Sequence, residues 1–195
     1  MLYFRNTNQL QTLQSDIARG VSSNPQPPAP TGSITPTGVG MFRTQYTGYF
    51  DGVPSWFDTA VSSSTGMPNT GSINIGFTSS VDLRSVQWKG YFTPTTTETY
   101  TFFATSDDAM YMWIGNDASA SYTTASINIG AGSGGPLYLT GSPVLLTSGT
   151  FYPMRIQWGE NTGAEYLTMS YQTPTISKTE NWSTNMYYNT ASNGF

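Results

Sequence analysis

From residue 38 onward, apolar and polar side chains alternate with a period of two, and this pattern constrains the chain more than any other feature. Met154, Ile156 and Trp158 alternate with Arg155 and Gln157, and Leu167, Met169 and Tyr171 alternate with Thr168 and Ser170. Tyr100 and Phe102 share a face, as do Val86, Trp88 and Phe92. Successive side chains of a strand point to opposite faces, so each of these runs buries one face. Gly, Pro, Asn and Ser separate the runs and supply the turns. The pattern predicts an all-β fold, an antiparallel β-sandwich over residues 38–195. Trp88 and Trp158 alternate with polar neighbours and are read as core, and the tail through Tyr187 and Tyr188 as a further strand or a contact with a neighbouring copy.

The upstream segment follows other rules. Leu10, Leu13 and Ile17 fall at helical spacing, with Val21 one turn on and Gly20 placed as a C-cap. A helix is expected over 1–23, either packed on its own domain or anchoring the chain to a larger assembly. Residues 24–37 hold five prolines, a composition that favours a semi-rigid extended tether over a loop wrapped on the head. Through residues 1–37 the chain would meet neighbouring structural proteins or copies of itself.

Composition narrows the function. Only 7 residues are basic and 11 acidic, so a nucleic-acid partner lacks its electrostatic footprint. No apolar run of about 18 residues exists, and no basic amphipathic helix, so membrane insertion is not expected. Cysteine and histidine are both absent, which removes thiolate chemistry, Cys-based zinc sites and the commonest general base. The surface must be neutral and polar, built from Ser, Thr, Asn, Gly and Tyr. That suits an extracellular or virion surface. The opening Met1–Asn6 turns polar at once, so no secretory signal is expected there, and assembly into a viral particle is the simplest route outward.

Five motifs stand in a recognisable order. Trp88-Lys89-Gly90-Tyr91 is followed by Tyr100-Thr101-Phe102, the pair Asp107-Asp108, Trp113-Ile114-Gly115 and Tyr152-Pro153-Met154-Arg155. Gly40–Tyr46, with Tyr49-Phe50, precedes them as an opening strand and loop. This succession resembles the anthrax protective-antigen-type (PA14) and yeast flocculin-like lectin β-sandwich, over roughly residues 38–175. One departure is Thr95-Thr96-Thr97, where such domains often carry glycine; it concerns a turn.

The resemblance implies a non-enzymatic, surface-displayed lectin that holds glycans through calcium. In flocculin-like members the paired aspartates are joined by a cis peptide and both carboxylates hold the ion, a role that passes to Asp107 and Asp108. A loop after the Tyr-Pro-x-Arg strand supplies further ligands. Here that loop is Gly159–Ala164, and either Glu160 or Asn161 could serve. Calcium accepts six to eight oxygen ligands in flexible geometry, and open positions would take vicinal sugar hydroxyls. Trp56, Tyr122 and Tyr166 lie nearer the expected loops and are candidates for stacking on a sugar. Asp107-Asp108 could instead cap a turn with no metal, and the chain could be a purely structural decoration, fibre or neck protein of a virion. A glycosidase would need two acids facing each other across a cleft, and a head of this size argues against it.

Overall fold

A computed structural model describes residues 34–78, 82–119, 128–131, 136–192 and 194–195. The helix expected over 1–23, most of the tether and Tyr122 lie outside them. Among the described residues no helix is long and apolar enough to cross a membrane.

Among the described residues thirteen strands run in chain order: β1 (Gly38–Val39), β2 (Met41–Thr47), β3 (Ser62–Asn69), β4 (Asn74–Thr78), β5 (Arg84–Phe92), β6 (Glu98–Asp107), β7 (Ala109–Ile114), β8 (Ile129–Ala131), β9 (Leu137–Thr140), β10 (Val144–Leu146), β11 (Tyr152–Glu160), β12 (Glu165–Gln172) and β13 (Met186–Tyr188). They form two antiparallel sheets, one ordered β1-β13-β5-β11-β7-β8 with β2 and β3 joined along β5, the other β10-β6-β12-β4 with β9 also on β6. The sandwich expected from the alternation is present. The Tyr187-Tyr188 tail is a strand, pairing Tyr187 with Tyr91 and with Val39. Thr37 donates its N–H to the carbonyl of Tyr188 at 2.9 Å, tying residue 37 to the last strand.

The inward faces interleave aromatic rings. Phe92 lies 5.3–5.6 Å, centroid to centroid, from Tyr100, Phe102, Tyr171 and Trp182, each near edge-on. All five rings are buried. Burying one such side chain contributes roughly 1.5–3 kcal/mol, and edge-to-face pairs add about 0.5–1.5 kcal/mol. Trp88 and Trp158 belong to this core, fully buried, as their alternation indicates.

The outer face of the larger sheet is also covered. A 3-10 turn, Pro54–Asp58, carries Phe57 onto Tyr46 and Phe50, in a cluster that also holds Tyr111 and Trp113. All nine residues of β11 are therefore buried, although its sequence alternates. Gln157 lies beneath this turn and donates to the Pro54 carbonyl at 3.2 Å, whereas Arg155 lies beneath the short helix Asn116–Ser119 and donates to the Asp117 carbonyl at 3.4 Å. Gln157 donates to the Gln87 side-chain oxygen at 2.9 Å, and the Arg155 guanidinium sits 4.8 Å from the Trp113 ring centroid.

Candidate functional site

Strand register assembles the acids. β11 pairs with β7 so that Gly159 faces Ala109, which sets the next residue, Glu160, beside Asp108 at the end of the sheet. β12 pairs with β6 so that Tyr166 faces Asp107, the last residue of β6. The peptide bond between Asp107 and Asp108 is cis, as the resemblance implies. One carboxylate oxygen from each of Asp107, Asp108 and Glu160 lies within 4.8 Å of the others.

Neighbouring bonds hold the cluster. The backbone N–H of Asn161 donates to Asp108 Oδ2 at 2.9 Å. The indole Nε1 of Trp158 donates to the carbonyls of Asp107 and Tyr166, at 3.0 and 3.2 Å. The loop after β11 is pinned from outside, with Leu83 N–H donating to the Asn161 carbonyl and Gly163 N–H donating to Asp82 Oδ1. Gly159 is required by close approach, because a Cβ there would stand 2.5 Å from Cδ1 of buried Phe50.

The electrostatics are unfavourable as they stand. Two glutamates near this end are fully buried, Glu160 and Glu165. Glu165 is answered by Arg84 in an ion pair of 2.9 Å. Both carboxylate oxygens of Glu160 lack a hydrogen-bond partner among the described residues. Burial first, and then the charges of Asp108 and Asp107, push its pKa up to about 7. Burial and the neighbouring Asp108 also raise the pKa of Asp107. A buried carboxylate without a partner costs free energy unless it is protonated or meets a cation. Three carboxylates within one ion's reach, two oxygens of them unanswered, fit a hard, oxygen-seeking cation.

The other expected site residues separate into groups. Asn161 adjoins the cluster and supplies its main-chain N–H, while its neighbour Glu160 brings the carboxylate. Tyr166 lies across from Asp107 on the outward face of β12. Trp56 packs instead in the second aromatic cluster, 5.2 Å from Phe57 and 6.0 Å from Tyr46. Tyr111 and Trp113 are buried there too.

Sequence reasoning missed two residues that act on the cluster or its loop without joining it. Burial and the charges of Asp108, Asp51 and Glu160 push the phenol of Tyr49 up to about 12, which places it in the field of the acids. Asp82 holds the Gly163 end of the loop. The turn signal Asp51-Gly52 after Tyr49 is visible in the sequence, but nothing there links it to residues more than fifty positions away.

Comparison with known proteins gives one family match. Residues 84–173 match the model of the GLEYA domain. No curated protein matches the chain in sequence. Among solved structures, the A domain of epithelial adhesin 6 from Candida glabrata, in complex with Galβ1-3GlcNAc, superimposes with a TM-score of 0.68 at 16% identity, covering 89% of this chain and 96% of that one. The A domain of epithelial adhesin 9 from the same organism, in complex with Galβ1-4GlcNAc, gives 0.69 at 14%, covering 84% and 95%. The PA14 domain of the antifreeze protein MpAFP gives 0.57 at 14%, covering 81% and 95%. At these identities the likeness to each structure is one of fold.

Proposed function

We propose, on the premise that the head is a protective-antigen-type sandwich carrying a GLEYA domain over residues 84–173, that this chain is a glycan-binding adhesin module whose sugar is held through calcium on Asp107, Asp108 and Glu160. The observation that carries the reading is the pair of unanswered oxygens on fully buried Glu160, beside two further carboxylates. A bound calcium ion supplies positive charge to the three carboxylates and open positions to vicinal hydroxyls. The residues of the chain do the rest. Trp158 fixes the main chain of Asp107, the Asn161 N–H orients Asp108, and Asp82 steadies the loop that carries Asn161. Tyr166, across from Asp107, brings a phenol ring able to meet a sugar, and the charges of Asp108 and Glu160 act on the phenol of Tyr49.

The chain is a binding module and not an enzyme. The two acids of a glycosidase flank a scissile bond with room for a sugar between them, whereas the three carboxylates here crowd one point. The adhesin domains of like fold were solved with galactose-containing disaccharides, which makes these sugars the first probes. Display on an outer surface, of a cell or of a virion, belongs to the same reading, with residues 1–37 as the attachment.

A glycan array probed in calcium and again in chelator tests it. The reading expects hits that vanish in chelator and in Asp108→Asn. Hits indifferent to both, or no hits in calcium, overturn it.

A further inference from the structure

The outward face of the smaller sheet carries a feature that extends beyond the calcium site and shares only Tyr166 with it. An open groove of about 470 Å³ is lined by Tyr138, Tyr166, Thr105, Thr168, Asn74 and Gly76. Tyr138 is 79% exposed, a large ring standing on a flat strand face. Both rings flank β6, because Tyr166 pairs across from Asp107 and Tyr138 across from Thr105. Strand spacing and rise place the two tyrosine Cα atoms about 12 Å apart, on a diagonal over Thr105. At the Tyr166 end the groove meets Asp107 and thus the acid cluster.

We infer that this groove is an extended subsite for a neutral oligosaccharide, which leaves the acid cluster past Tyr166 and lays its further units across the sheet onto Tyr138. The inference rests on the reading of the acid cluster as a sugar site. Among the described residues its lining contains no charged side chain, so neither a polyanion nor a basic peptide finds a counter-charge there. Hydroxyls of Thr105 and Thr168 and the amide of Asn74 match a chain of hydroxyl groups. Two tyrosine rings offer apolar faces with polar tips, the combination that binds amphiphilic surfaces that remain partly wet. Continuity with Asp107 gives the chain a fixed starting point and a direction.

The test uses the whole chain in calcium with neutral galactose-, mannose- and glucose-based glycans, each from monosaccharide to hexasaccharide. The subsite expects affinity to rise by about tenfold with length. Tyr138→Ala should erase that gain and leave monosaccharide binding unchanged, and Tyr138→Phe, which keeps the ring, should preserve it. Monosaccharide binding with no gain on lengthening, or a gain that survives Tyr138→Ala, overturns the subsite and leaves the calcium site standing. Failure of every glycan to bind in calcium overturns both. Self-association that Tyr138→Ala abolishes, with glycan binding untouched, assigns the face to a second copy and overturns the inference.

Discussion

The indole Nε1 of Trp158 donates to the main-chain oxygen of Asp107 at 3.0 Å. A side chain wholly inside the sandwich therefore holds the rim that presents the acids. The same N–H reaches the Tyr166 carbonyl at 3.2 Å, so the ends of β6 and β12 share one donor. Trp158→Phe keeps most of the apolar burial and leaves both carbonyls without it. The expected cost is about 1–3 kcal/mol, read by urea denaturation, together with weaker calcium binding by calorimetry. Unchanged calcium affinity would mean that the indole serves packing alone.

Glu160→Gln should separate folding from ion binding. The carboxylate is buried, without a hydrogen-bond partner among the described residues, and crowded by two acids. Removing its charge is expected to raise the thermal midpoint in chelator and shrink the increment that calcium gives. Asp82→Asn, which keeps an acceptor for Gly163, is the control and should leave the calcium increment nearly intact.

The pKa of Glu160 sets a sign for pH dependence. It lies at about 7, above the ordinary 4.5. A carboxyl raised on folding favours the protonated native state. Its contribution is fully present below about pH 4.5 and is lost as pH rises through about 7. Asp107, also raised, acts in the same direction. The calcium-free head should therefore lose stability relative to Glu160→Gln across this window. Calcium binding below pH 7 should release protons, visible as a calorimetric heat that depends on the buffer. A wild-type head that gains stability over the variant as pH rises would reverse the sign.

Gly159 lies against Phe50 with no room for a methyl group; a Cβ would come within 2.5 and 2.8 Å of the ring. Gly159→Ala is expected to cost about 1–3 kcal/mol through overpacking. Phe50→Leu in the same chain should recover part of that loss, giving a non-zero coupling in a double-mutant cycle.

Most of the sandwich is legible in the sequence because its strands obey one rule locally. Tyr100 and Phe102, Leu167 and Met169, and Trp88 and Trp158 each alternate with polar neighbours and are buried. β11 shows where the rule stops. Arg155 and Gln157 read as an outward face, yet the Asn116–Ser119 helix covers Arg155 and the Pro54–Asp58 turn covers Gln157, and that cover is set by packing between segments 38 and 103 positions apart. The acid pair at 107 and 108 is legible as a motif. That the Glu160 carboxylate joins the two aspartates is not, because it depends on the β11–β7 register, which aligns Gly159 with Ala109. Tyr49 and Tyr138 are missed for the same reason: one is brought in by a loop and the other by a short strand whose pairing no local pattern announces.

A crystal grown with calcium and a neutral disaccharide addresses the shared ion most directly. A single metal peak bonded to carboxylate oxygens of Asp107, Asp108 and Glu160 at about 2.3–2.6 Å, with two sugar hydroxyls completing its shell, is the expected result. Density that leaves the three acids bare, or a sugar bound elsewhere with no metal beside it, contradicts it.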